Sequence, residues 1–77
     1  MHHRLLALKS TEVQRILKRN GFKLTRTKGS HQQFQGVIEG RKKRVTVIAN
    51  QKRFNPKTIA SMIRQSGLSE DDCLSLL

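Results

Sequence analysis

Twice in this sequence apolar residues recur with the period of a helix, and between those two stretches the period drops to two. Val13, Ile16 and Leu17 stand at i, i+3 and i+4, and Ile59, Met62 and Ile63 repeat the spacing. Each set marks one apolar stripe along a helix, whereas the alternation between them marks strands with one buried face. Two one-sided helices and a small sheet can hide these surfaces most simply by stacking both helices on one face of the sheet. The chain has 77 residues, 35% of them hydrophobic, which suffices for one domain over residues 1–77. A chain of this length buries only ~60% of the surface it exposes when unfolded, so its core is small.

Local signals set the expected boundaries. Ser10-Thr11 opens the first helix, where either hydroxyl can cap and Thr11 with Gln14 has capping-box spacing. Gln14, Arg15, Lys18 and Arg19 cover the rest of its surface, and Asn20-Gly21 ends it. Phe22 and Leu24 then alternate with Lys23 and Thr25, which predicts a strand with both apolar side chains inward. Lys28-Gly29-Ser30 reads as a turn. A second strand runs from His31 to about Ile38 around Phe34. Glu39-Gly40-Arg41-Lys42-Lys43 reads as a basic loop, and the β-branched run Val45-Thr46-Val47-Ile48 as a third strand. Asn55 as N-cap with Pro56 at the first helical position begins the second long helix, which stops at Ser66-Gly67. Ser69 caps a short last helix with Glu70, Asp71 and Asp72 in its first turn, and Leu74, Leu76 and Leu77 are expected to pack it back. The predicted fold is α+β: a two-layer α-β-β-β-α sandwich with a short C-terminal helix. One sheet face is left to solvent or a ligand.

Charge narrows the partner. Sixteen Lys and Arg oppose five Asp and Glu, a net charge of +11, and all sixteen lie between Arg4 and Arg64 with only Glu12 and Glu39 among them. Such an excess calls for a polyanion, most economically a nucleic acid. Four consecutive cations, Arg41-Lys42-Lys43-Arg44, repel one another and need a compensating partner. Lys52 and Arg53 add to them ahead of the second long helix, and Lys57 lies in its first turn, where a helix attracts phosphate. The sequence contains neither Tyr nor Trp, so no stacking platform of the single-strand-binding kind is available and contact falls on backbone and shape.

Other chemistries are poorly served. The single cysteine, Cys73, allows neither a disulfide nor a cysteine-based zinc site. His2, His3, His31 and Cys73 lack metal-ligand spacing, and Gly-X-X-X-X-Gly stretches lack the Lys-Ser/Thr of a nucleotide loop. No metal, no cofactor and no membrane association are expected. The longest apolar run, Leu5-Leu6-Ala7-Leu8, is far short of the ~20 residues of a membrane span, and its start resembles a signal peptide only in passing. A cytoplasmic location is expected. Glu39 is the one carboxylate within the sheet, so no Ser-His-acid triad can be drawn.

His31 follows the Gly-Ser turn, three residues before Phe34. In a regular strand an odd separation places the two on opposite faces, so Phe34 inward sends His31 outward, with Lys28 across the turn and Arg26 on the neighbouring strand. On these residues alone, His31 is either an exposed structural histidine or a proton-transfer group for phosphodiester cleavage.

The ordered set of Asn20-Gly21-Phe22, Lys28-Gly29-Ser30-His31, Val45-Thr46-Val47, Pro56-Lys57-Thr58-Ile59 and Gln65-Ser66-Gly67-Leu68 resembles the HicA family of toxin–antitoxin ribonucleases, from Ser10 to Leu77. The resemblance implies a fold like that of double-stranded-RNA-binding domains. It also implies a metal-independent endoribonuclease that cleaves mRNA, arrests translation and growth, and is inhibited by a HicB-type antitoxin. The family's catalytic histidine follows Gly-Ser, which maps onto His31. Relatives often carry a second histidine directly after it, where this chain has Gln32, and His-Pro in the loop after the third strand, where this chain reads Ala49-Asn50-Gln51. On this reading His31 is general acid or base while the RNA 2′-OH attacks the adjacent phosphate. Lys28 and the N–H groups of Gly29-Ser30 stabilise the developing charge, and water or Lys28 fills the second proton-transfer role. Arg26, Lys28, Arg41, Lys42, Lys43, Arg44, Lys52, Arg53 and Lys57 are the expected RNA contacts. A non-catalytic RNA-binding module on the same fold accounts equally for the charge and the element order. Only the histidine after Gly-Ser separates the two.

Overall fold

The helices form where the apolar stripes place them, and the strands form between. The computed structural model describes residues 3–75; Met1, His2, Leu76 and Leu77, with the packing expected of the last two, lie outside them. The elements are α1 (His3–Leu6), α2 (Ser10–Arg19), β1 (Lys23–Lys28), β2 (His31–Ile38), β3 (Arg41–Ile48), α3 (Pro56–Ser66) and α4 (Glu70–Ser75). The α+β sandwich is as expected, with one addition. The apolar run near the start folds as the helical turn α1, which lies against α3 and α4 and buries Leu5 and Leu8 in the core.

Most helix ends follow the local signals. Gly21 takes φ 85°, and Gly21 and Phe22 donate their N–H groups to the carbonyls of Lys18 and Leu17 at 3.1 and 3.0 Å, a Schellman closure completed by the buried Leu17–Phe22 pair. The Asn55 side chain accepts from the Lys57 N–H at 2.9 Å ahead of Pro56, and Gly67 ends α3 with φ 74°. Ser69 and Asp72 cap α4 reciprocally, each side chain accepting the other's N–H at 3.0 and 3.1 Å. The start of α2 differs from expectation. Its N-cap is Lys9, not a hydroxyl residue, and Glu12 accepts the Lys9 N–H at 2.9 Å. Ser10 is buried as the first helical residue and donates its N–H to the carbonyl of Gln51 at 2.9 Å. A tertiary bond to the loop before α3 thus replaces the hydroxyl cap.

The strands form an antiparallel meander in the order β1-β2-β3. Its second hairpin corrects one expectation. Arg41 pairs with Ile38, so the connection is only Glu39-Gly40, with φ of 51° and 76°. Positive φ at both positions is the type I′ geometry that matches strand twist. The run Arg41–Arg44 is therefore strand, not loop.

Phe34, Val45 and Val47 have no exposed surface and form the floor of the core beneath α2 and α3, both of which pack on β3. Phe22 enters the core as expected but Leu24 does not. It stands opposite Phe34 on the helix side, yet is 46% exposed, because the helices lie over β3 and leave the far edge at β1 uncovered. On the outer side of β3, the Thr46 N–H donates to Gln65 Oε1 at 3.3 Å, and Gln65 Nε2 donates to Ser61 Oγ at 3.1 Å.

Gly36 on β2 leaves room for the Phe22 ring. A Cβ at Gly36 would stand 2.8 Å from Phe22 Cγ and 2.9 Å from Cδ1. Gly36→Ala should destabilise the fold by about 1–3 kcal/mol, the usual result of overpacking. Urea denaturation checks this, and an unchanged midpoint would refute the contact.

Candidate functional site

Alternation along β2 starts from the buried Phe34. Gln32 and Gly36 share its helix-facing side, while His31, Gln33, Gln35 and Val37 look out from the uncovered face. His31 is exposed, as the odd separation predicts. It pairs directly with Lys28 across the Gly29-Ser30 turn and with Ile48 on β3. Gly29 has φ 59° at the first central position, which a type II′ hairpin requires. The carbonyl of Ser30 accepts the Ala49 N–H at 2.7 Å, which ties the turn to the end of β3. His31 and Lys28 are thus held side by side on one face, with Cβ atoms of such opposed residues ~5 Å apart.

Two of the three cations of β1 reach this face through a bulge. Lys23 pairs with Gln35 and Leu24 with Phe34, but the next partner of Gln33 is Arg26, so Thr25 is an extra residue. Such a residue shifts the alternation of everything beyond it. In an unbroken strand Lys23 would look out while Arg26 and Lys28 looked toward the helices. With Thr25 inserted, all three look out. The Thr25 hydroxyl donates to the Gln33 carbonyl at 3.3 Å across the irregularity. On β3 the same face carries Lys42, Arg44 and Thr46, paired with Val37, Gln35 and Gln33.

Arg26, Lys28, His31, Gln33 and Thr46 together line an open hollow around the histidine. A second hollow includes Lys23, Thr25, Gln35, Lys42 and Arg44 and extends the surface toward the other hairpin. Neither hollow contains a carboxylate. Phe22, Phe34 and Phe54 are all buried, so no aromatic ring lies on the face.

The expected site residues therefore separate. Arg26, Lys28, Lys42 and Arg44 share the face of His31, with Gly29 and Ser30 at its end. By register Arg41 and Lys43 fall on the helix side, where the Lys43 stem lies across Gly67 with Cε 2.9 Å from the place of a Cβ there, although Lys43 also borders the second hollow. Lys52 and Arg53 are exposed in the loop before α3 and Lys57 in its first turn; none of them lines the hollow around His31. Lys23, Gln33 and Thr46 were not anticipated. Gln32 lies on the opposite side of the sheet from His31, paired with Thr27 and Val47, and its Oε1 is buried without a hydrogen-bond partner.

Cys73 is not a reactive thiol. Burial, and then the charges of Asp72 and Glu70, push its thiol pKa up, which suppresses the thiolate. Among the described residues no group of His, Cys, Asp or Glu is placed to hold a metal ion, and no helix is long and apolar enough to cross a membrane.

The family model for the HicA toxin of bacterial toxin–antitoxin systems matches residues 10–68. The chain belongs to the HicA toxin family. Comparison with curated proteins finds no significant match. The HicA match takes in α2, the whole sheet and α3, and it leaves α1 and α4 outside. Membership makes the chain a toxin of a toxin–antitoxin pair and implies an antitoxin as its partner.

Proposed function

We propose that this HicA-family toxin is an endoribonuclease that cleaves mRNA through His31, so that growth stops when its antitoxin is absent. The observation that carries the reading is the pairing of an exposed His31 with Lys28 on a cationic, carboxylate-free face. A phosphodiester can approach such a face without repulsion. Histidine is the side chain best suited to move protons near neutral pH.

The reaction needs only an RNA's own atoms and a proton relay. The ribose 2′-oxygen attacks the adjacent phosphorus as its proton leaves, and the bond from phosphorus to the 5′-oxygen breaks as that oxygen gains a proton. The products are a 2′,3′-cyclic phosphate and a 5′-hydroxyl. His31 performs one of the two transfers, and water or Lys28 performs the other. Lys28 and the N–H groups at Gly29-Ser30 offset the charge that grows on the non-bridging oxygens. A HicB-type antitoxin with an acidic surface is suited to cover the same face, since opposite charge also speeds capture.

Incubation with RNA and, separately, DNA in EDTA tests the reading. RNA should be cut to cyclic-phosphate ends, while DNA, lacking the 2′-OH, should survive. RNA that is retarded on a gel yet never cut would replace the ribonuclease with a binding module on the same face.

A further inference from the structure

The register of β1 bears on how far the binding surface extends. Lys23, Arg26 and Lys28 stand opposite Gln35, Gln33 and His31, so the three cations occur at every second residue of β2. At a rise of ~3.3 Å per residue their backbone positions are ~6.6 Å apart, about the span of one sugar–phosphate repeat in an extended strand. All three are exposed. The adjoining outward residues Gln33 and Gln35 add neutral donors and acceptors without competing charge.

We propose that β1 is a track for single-stranded RNA on which Lys23, Arg26 and Lys28 hold three successive phosphates. Lys28 holds the phosphate that reacts beside His31, and Lys23 is the far anchor. The identity of that reacting phosphate rests on the ribonuclease reading, whereas the track is a statement about binding. A row of cations spaced one per second residue of β2 follows an extended chain. The strand of an A-form duplex coils away from one edge strand and would meet fewer of them. Without aromatic rings on the face, bases gain little by stacking there, so the backbone carries the affinity.

The test uses Lys23→Gln and Lys28→Gln in the full chain with short 2′-O-methyl RNA, which has no free 2′-OH and stays intact. Lys23→Gln should weaken binding of a single strand of several nucleotides about threefold to fivefold, as expected for one exposed charge contact. The slope of log affinity against log salt should fall by about 0.7, the value per single-strand phosphate. A dinucleotide with one phosphate should bind Lys23→Gln like the parent and be weakened by Lys28→Gln. With cleavable RNA, kcat/KM for the longer strand should fall by the same factor in Lys23→Gln while the dinucleotide is cut at the parent rate. Unchanged affinity in Lys23→Gln, or an equal loss on both lengths, overturns the track. A 2′-O-methyl duplex bound as tightly as the single strand overturns the single-strand assignment. The expected binding pattern without any cleavage of ordinary RNA would leave the track standing and remove the ribonuclease reading.

Discussion

His31→Ala should lower RNA cleavage roughly 100-fold or more, the typical contribution of a positioned acid–base group. Stability should change by less than about 0.5 kcal/mol, because an exposed side chain leaves neither a cavity nor an orphaned partner when removed. RNA binding should persist, since all sixteen cations remain. Single-turnover cleavage, a urea melt and a titration with uncleavable RNA read the three quantities separately. Parent-rate cleavage by a folded His31→Ala chain ends the catalytic assignment, and an unfolded variant makes the histidine structural. Growth arrest on expression should disappear with the same substitution.

Phe34→Ala should have the largest effect on the fold itself. Phe34 has no exposed surface, and it sits in the central strand with Leu24 on one side and Val45 on the other. Truncating such a residue typically costs about 3–5 kcal/mol, a large share of the roughly 5–15 kcal/mol that holds a small domain together. Thermal or urea denaturation should show a chain largely unfolded at 37 °C. Activity would then fall together with structure, unlike the selective loss in His31→Ala. A near-parent midpoint would mean that Phe34 is not what orients β2. The more conservative Phe34→Leu keeps most of the buried volume and should retain the fold.

The outward direction of His31 was legible because it depends on parity within a single uninterrupted strand, anchored by one apolar residue. Both ends of α3 and the start of α4 were legible for a similar reason, since the signals at Asn55-Pro56, Gly67 and Ser69 act over three residues or fewer. The start of α2 at Ser10 was legible too, but its cap was not, because the N–H of Ser10 is taken up by Gln51, far away in sequence. The strand identity of Arg41–Arg44 was masked by composition: a run of cations looks like solvent-exposed loop, but a two-residue turn forces it into the ladder. As a result only Lys42 and Arg44 join the face of His31. The bulge could have been inferred from a conflict of parity. Leu24 counts inward from Phe22, whereas Lys28 counts outward from His31 across a two-residue turn, and both assignments hold only if one residue between them is extra. Lys23 enters the surface through that same count.

The borders of the sheet have a consequence for self-association. An unguarded outer strand invites another chain to pair with it. Here β1 is interrupted by the Thr25 bulge and studded with Lys23, Arg26 and Lys28, while β3 has its Thr46 N–H occupied by Gln65. A visiting strand at β3 would first have to release that glutamine, and one at β1 would meet a broken ladder and positive charge. Two copies of so basic a chain also repel one another. The toxin can therefore leave one whole side of its sheet bare without offering its neighbours a template for fibrous growth.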